Sequence, residues 1–189
     1  MAQSAISLCS KALVKLGAKA IVSFNENTAE AEVALQLYEP IRDALLSMYP
    51  WRFATAQTFL VRLVTAPKAD YTYAYQLPSD FLRVLSAGSG SQGRGLNYRI
   101  YEKTLQTNAQ DVVLTYIFQP LEANYPPFFD QLLINTLAAE FCLPLTESTS
   151  RSEFLTKQAE KNLEQAKLID SQQVIPPAIM DFPLIGVRG

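Results

Sequence analysis

Apolar residues recur at helical spacing in two stretches of the first 50 positions. Four of them line one face of the first stretch: Ile6, Cys9, Leu13 and Leu16. This spacing predicts a helix over about residues 3–16, and Gly17 stands where a left-handed residue commonly ends a helix. A second helix is predicted over about residues 28–49, with Asn27 or Thr28 as its N-cap.

Two prolines shape the expectations for the second helix. Pro40 cannot donate a backbone hydrogen bond, so we expect a kink or a local break there. Pro50 disfavours helical geometry at Tyr49, so the helix is expected to stop at that residue.

Between about residues 52 and 120 the period of the pattern changes to two. Tyr71, Tyr73 and Tyr75 alternate with smaller residues, as they do on one face of a strand. Five segments are rich in β-branched and aromatic residues: RFATAQTFLVRLV, YTYAYQLP, FLRVLSAG, LNYRIYEK and DVVLTYIFQP. We therefore predict an antiparallel β-element in the middle of the chain.

Helical spacing returns over about residues 128–143 and 151–170. The first of these helices is expected to end near Pro144, and the second to open with a capping box formed by Ser150 and Glu153. The predicted fold class is α+β, mainly α: a helical bundle with an inserted antiparallel β-element in one domain, residues 1–173, followed by an extended segment.

The extended segment, residues 174–189, reads VIPPAIMDFPLIGVRG and fits neither period. Exposed apolar side chains of this density are expected to dock on another surface, or to pack back on their own domain. The candidate docking residues are Ile175, Pro176, Pro177, Ile179, Phe182, Leu184 and Arg188.

The composition limits the chemical functions that the chain is expected to have. The 16 Lys and Arg balance 18 Asp and Glu among 189 residues, so the chain lacks the basic excess that drives tight binding to nucleic-acid phosphates. It contains no histidine, the commonest general base and metal ligand. We predict no enzyme activity, no metal and no cofactor. We also predict no membrane association, because the sequence shows neither a signal peptide nor about 20 consecutive apolar residues.

A glycine-rich loop separates two predicted strands. Gly88, Gly90 and Gly93 have the spacing of a dinucleotide-binding loop, but that mechanism needs a helix N-terminus directly afterwards, and LNYRIYE is strand-like. We therefore favour a mobile hairpin tip, with the nucleotide cradle as the alternative. The candidate contact residues of this loop are Gly88, Ser89, Gly90, Ser91, Gln92, Gly93 and Arg94.

Several residues are interpreted as structural anchors. Trp51, the only tryptophan, is expected to enter the core where the second helix gives way to a strand beginning at Phe53. Three arginines lie among apolar residues and are expected to pair with carboxylates: Arg42, Arg52 and Arg83. Asp43 and Asp80 are the candidate partners.

Five segments, in their order, carry a family resemblance: SLCSKALVKLGAKAIVSFNENTAEA, YEPIRDALLSMYPWRFA, YAYQLPSDFLRVL, FDQLLINTLAAEFCLPLT and AEKNLEQAKLIDSQQ. Over about residues 3–173 the chain resembles the head-to-tail adaptor proteins of tailed bacteriophages, the tail tubular protein A group. The most specific parts are Pro-Trp-Arg-Phe and Leu-Pro-Ser-Asp-Phe-Leu-Arg. Pro40 departs from the uninterrupted second helix that the resemblance implies.

The resemblance implies a structural virion protein of the phage neck, assembled in the host cytoplasm. Twelve copies are expected to form a ring beneath the portal protein and to continue the channel through which genomic DNA passes without specific binding. On this basis we expect residues 174–189 to dock on the portal and residues 88–94 to contact the downstream tail or nozzle protein. The alternatives are another neck component, such as a stopper, or a nucleotide-binding enzyme that uses the Gly88–Gly93 loop.

Overall fold

The computed structural model describes residues 3–173. The predicted docking segment, residues 174–189, lies outside the described residues. The described part contains four α-helices: α1 (Ala5–Lys15), α2 (Ala29–Met48), α3 (Pro127–Thr146) and α4 (Thr149–Ser171). Its seven strands all lie between α2 and α3: β1 (Thr55–Phe59), β2 (Val61–Arg62), β3 (Tyr73–Gln76), β4 (Phe81–Gly88), β5 (Tyr98–Tyr101), β6 (Thr104–Thr107) and β7 (Val113–Phe118). The predicted fold class, α+β and mainly α with an inserted β-element, is confirmed.

The β-element consists of two antiparallel sheets. We call the three-stranded sheet with the order β1-β7-β4 the inner sheet, and the four-stranded sheet with the order β2-β3-β6-β5 the outer sheet. Ile117 belongs to the core of the helices, whereas its neighbours Tyr116 and Phe118 belong to a second core that includes Tyr75 and Leu105 of the outer sheet. The inner sheet therefore packs on the helices with one face and on the outer sheet with the other.

Local sequence signals account for the ends of the first two helices. Gly17 has φ +74°, and its amide and that of Ala18 donate to Val14 and Leu13 at 2.9 and 3.0 Å. These two bonds form a complete Schellman motif at the end of α1. The N-cap of α2 is Thr28, whose hydroxyl accepts from the Ala31 amide at 3.3 Å. Helix α2 ends at Met48 and Tyr49 is extended, as predicted.

Both prolines inside helices are tolerated. Helix α2 is continuous through Pro40, so the local break that was one of the two predicted outcomes there does not occur. Helix α3 runs past Pro144 and ends at Thr146, two residues beyond the predicted end. In each case the proline removes the bond to the carbonyl four residues earlier, at Gln36 or Glu140. Those two residues are exposed, so water can hydrogen-bond the freed carbonyl groups.

The start of α4 also differs from the prediction. The helix begins at Thr149 with Ser148 as its N-cap, and no side chain caps it. Ser150 therefore lies within the first turn, and the predicted capping box with Glu153 is wrong. Ser148, Ser150 and Ser152 are all of a residue type that commonly begins a helix, so the sequence does not by itself fix which of them is the N-cap.

Candidate interaction surfaces and their structural anchors

The structure places Trp51 in the core at the junction between α2 and β1. Its side chain has no exposed surface, and its ring packs against Tyr49 and Phe129 at centroid distances of 4.8 and 5.4 Å. Its Nε1 donates to the Leu45 carbonyl at 2.9 Å. Leu45 lies in the last turn of α2, where carbonyl groups lack helical partners, so Trp51 also caps this helix.

Phe53 does not begin a strand, contrary to the prediction. Arg52–Ala54 forms a single 3-10 turn, and β1 starts at Thr55. The amide of Ala54 and the hydroxyl of Thr55 both donate to the Trp51 carbonyl, at 3.1 and 2.7 Å. This tight turn redirects the chain immediately after the buried tryptophan and delays the strand by two residues.

Arg52 joins the same junction to the end of α4. Its backbone amide donates to both carboxylate oxygens of Asp170 at 3.3 Å, and its Nε donates to the Asp170 carbonyl at 3.1 Å. Burial raises the pKa of Asp170, and the amide bond and charge of Arg52 lower it in part. The sequence analysis missed Asp170. A signal exists, because Asp170 follows Ala166 by four positions on the buried face of α4.

Arg42 lies in a polar cluster between α2 and the turn before α3. Its guanidinium pairs with Asp43 at 2.8 Å and with Glu122 at 3.6 Å, and it lies 5.5 Å from the centre of the Tyr38 ring. The Tyr38 hydroxyl donates to the same Glu122 carboxylate at 3.2 Å. Asp43 was predicted as a partner, whereas Glu122, 80 positions away, was not. Arg42 is only 5% exposed, so these contacts are buried, and they fix α2 to the turn before α3.

Asp80 pairs differently from the prediction. Its carboxylate accepts from the Tyr116 hydroxyl at 3.2 Å, and its carbonyl accepts from the Gln119 amide at 3.0 Å. Asp80 makes no ion pair within residues 3–173, and neither does Arg83 on β4. The register of β4 shifts between Phe81 and Arg83, and the turn before it points Asp80 at β7. Asp80 therefore ties the β3–β4 turn to the inner sheet.

The glycine-rich loop folds back on the inner sheet. The Gly90 amide donates to the Asp111 carboxylate at 2.6 Å, and the Ser86 hydroxyl donates to the Gly93 carbonyl at 2.8 Å. A Cβ added to Gly88 would lie 1.9 Å from the Gln92 carbonyl oxygen, so glycine is required there. These contacts anchor both sides of the loop. Ser89, Ser91 and Arg94 lie in the same loop.

The loop lacks the element that a nucleotide cradle needs. The next regular element after it is strand β5, which begins at Tyr98, and not a helix. A dinucleotide loop binds pyrophosphate with the N-terminal amides of a following helix. The loop geometry therefore gives no support to the nucleotide-binding alternative.

Other features of the described residues bear on chemistry. Groups of three or more His, Cys, Asp or Glu with metal-binding geometry do not occur in the described part of the chain. Cys9 and Cys142 are both free and buried, and burial raises the pKa of the Cys9 thiol to about 12, so it is not activated as a nucleophile. Helix α3 is long and apolar enough to cross a membrane, although half of the qualifying stretch is buried in the fold. That burial fits a core helix, and the absence of membrane association stays a prediction.

The sequence analysis also missed an exposed apolar edge. Phe59 is 70% exposed and Val61 is 74% exposed, although both lie in or beside strands. Val64, three residues further on, is fully exposed. Phe59 ends β1 of the inner sheet, Val61 begins β2 of the outer sheet, and Val64 follows β2, so these side chains surround the point where the chain passes from one sheet to the other. Exposed apolar residues beside an unpaired strand edge are commonly covered by another segment or partner.

Comparison with known proteins adds no relative: no family model matches the chain, and no curated protein matches it.

Proposed function

We propose that this chain is a structural virion protein that forms the head-to-tail adaptor ring of a tailed bacteriophage. The observation that carries the proposal is the architecture: a helical bundle with its whole β-element inserted between α2 and α3, which is what the resemblance implies. The proposed partners are the portal protein, the downstream tail or nozzle protein and other copies of the same chain. Genomic DNA passes through the lumen.

The two most specific segments of the resemblance support the proposal through their positions. Pro-Trp-Arg-Phe forms the buried junction between α2 and β1, where Trp51 packs. Leu-Pro-Ser-Asp-Phe-Leu-Arg forms the turn from β3 into β4, which Asp80 ties to β7. Both segments lie where the chain passes from one layer to another. The resemblance, which depends most on these two segments, therefore concerns how the layers of the fold are connected.

The surface chemistry is consistent with a scaffold role. Acidic and basic residues nearly balance, so a ring of this chain has no large electrostatic attraction for the DNA that slides through it. The acidic and basic side chains with the best-defined contacts, Arg42 and Asp170, hold elements of the fold together. They do not converge on a cavity.

The test is assembly. The purified chain is mixed with portal protein and imaged by electron microscopy, and we expect rings of about twelve copies on the portal. A variant lacking residues 174–189 should stay folded, because residues 3–173 contain two cores of their own, but should not join the portal.

Two outcomes would reject the proposal. Binding to a preassembled adaptor ring, but not to the portal, indicates a stopper. A chain that stays monomeric with the portal but is stabilised by a nucleotide indicates an enzyme.

A further inference from the structure

The outer edge of strand β1 is open for a further strand. β1 pairs with β7 in the register Thr55 to Ile117 through Phe59 to Val113, and among the described residues it pairs with no strand on its other side. The Leu60 amide donates to the Val112 carbonyl at 2.9 Å in the same register. Residues of an antiparallel strand direct their backbone groups alternately to the two sides.

This alternation identifies the free backbone groups. Ala56 and Thr58, like Leu60, direct their amide and carbonyl groups to β7. Gln57 and Phe59 therefore direct theirs to the open edge, where no described backbone group meets them. The exposed side chain of Phe59 lies at this edge, and the exposed side chain of Val61 follows two residues later, at the start of β2. The edge lacks the charges and prolines that usually protect an open edge.

A cavity adjoins this edge. It has a volume of about 300 Å³ and lies where β1 passes into β2. Its apolar lining includes Phe59, Val61, Leu77 and Pro78. It can hold a large apolar side chain from a strand that lies along β1.

The chain itself supplies an occupant at the right place. The contacts between Asp170 and Arg52 fix the end of α4 beside the start of β1. Residues 174–189, 16 in all, begin four positions after Asp170. Extended chain rises about 3.3 Å per residue, so these residues can reach about 50 Å, whereas even a fully extended chain from Arg52 to Phe59 would span at most about 23 Å.

We propose that residues 178–182 of the same chain add to the inner sheet as an outer strand, parallel to β1 and beside residues 57–61. Pro177 and Pro183 bound this stretch, which can donate throughout its length. The stretch reads AIMDF and is apolar apart from Asp181. Asp181 then comes within reach of Arg62, the only charged residue between positions 55 and 64.

This inference concerns the free protein and does not rest on the proposed function. In the assembled virion, the docking of residues 174–189 on the portal would displace the strand from β1. The added strand covers the apolar edge until then.

Hydrogen exchange of single backbone amides, measured by NMR on the full chain, tests the inference. The double variant Ile179→Pro, Met180→Pro removes the donor whichever of the two residues faces β1. It should accelerate exchange of the Gln57 and Phe59 amides at least tenfold. The Ala56 and Thr58 amides, which bond β7, should keep their rates. The control variant Gly186→Pro, Val187→Pro lies outside the paired stretch and should change none of the four.

Three results would overturn the inference. Unchanged exchange at Gln57 and Phe59 in the double variant means that no strand covers them. Equal acceleration at Ala56 and Thr58 means that the substituted residues support the fold as a whole and do not form a strand that protects only the open edge of β1. Protection of Gln57 and Phe59 that disappears on tenfold dilution assigns the strand to a second copy of the chain.

Discussion

Replacement of Trp51 by alanine tests the interpretation that this residue anchors the junction between helices and sheet. The side chain is fully buried and contacts four aromatic rings, those of Tyr49, Phe53, Phe128 and Phe129. Removing a large aromatic side chain from a close-packed core costs about 3–5 kcal/mol of unfolding free energy. We expect Trp51→Ala to fall in that range and also to abolish assembly.

Trp51→Phe separates the two contributions of the indole. Phenylalanine keeps much of the ring packing but cannot donate to the Leu45 carbonyl, which accepts from Nε1 at 2.9 Å. Leaving a buried acceptor without a partner costs about 1–3 kcal/mol. The phenylalanine variant should therefore be destabilised less than the alanine variant. Val22→Ala is the matched surface control, because Val22 is 84% exposed and its truncation should cost less than about 0.5 kcal/mol.

Urea denaturation followed by far-ultraviolet circular dichroism measures these differences. Fluorescence is unsuitable, because the substitution removes the only tryptophan. A loss below about 1 kcal/mol in Trp51→Ala, with assembly intact, would refute the anchor interpretation.

Three further predictions concern charge, the glycine-rich loop and DNA. Burial raises the pKa of Asp130, and the charge of Lys11 lowers it by less. The free energy of unfolding should therefore fall as the pH rises from about 3.8, the ordinary pKa of an aspartate, to the raised pKa of the folded state. Asp130→Asn should remove that fall in urea melts across this range, and an unchanged pH slope would contradict the assignment. Shortening residues 88–94 to a two-residue turn should leave the chain folded, since loop closure depends weakly on length, but should weaken binding to the downstream tail protein; unchanged tail attachment in a pull-down would reject this contact. Filter binding at physiological salt should detect no DNA affinity tighter than about 10⁻⁶ M, and tight, strongly salt-dependent binding would point to a nucleic-acid-binding function.

The helices were predictable because their signals are local. The apolar period fixes the buried face, and Thr28 and Gly17 mark ends through contacts within four residues. Pro40 does not break α2 and Pro144 does not end α3 directly, because the effect of each proline depends on solvent at Gln36 and Glu140. Exposure of a carbonyl to water is a tertiary property that the pattern along one helix does not contain.

The division of the β-element into two sheets was not predictable in the same way. Each strand was visible from its residues, but its neighbours were not: β1 pairs with β7, 58 positions later, while β2, two residues after β1, pairs with β3. Choosing between partners depends on how two faces pack, and period-two alternation is the same in either sheet. The open edge of β1 follows from this pairing, so it too was missed.

The candidate site residues were also predictable only in part. Arg42 was identified because it is a charged residue on an apolar helical face, and Asp170 satisfies the same criterion through its spacing from Ala166. The criterion finds a buried charge but not its partner. Glu122 belongs to a turn whose position relative to α2 is set by the whole sheet between them.

The two most specific segments of the resemblance are poor places for substitutions that test partner binding. Trp51 is fully buried, and Asp80 uses its carboxylate and its carbonyl to hold the β3–β4 turn. Substituting either residue would disturb the fold before it disturbed a contact with a portal or tail protein. Loss of assembly in such variants would therefore say little about an interface. Exposed residues such as Phe59 and Val61, which the core does not need, are the positions where a change in binding can be separated from a change in stability.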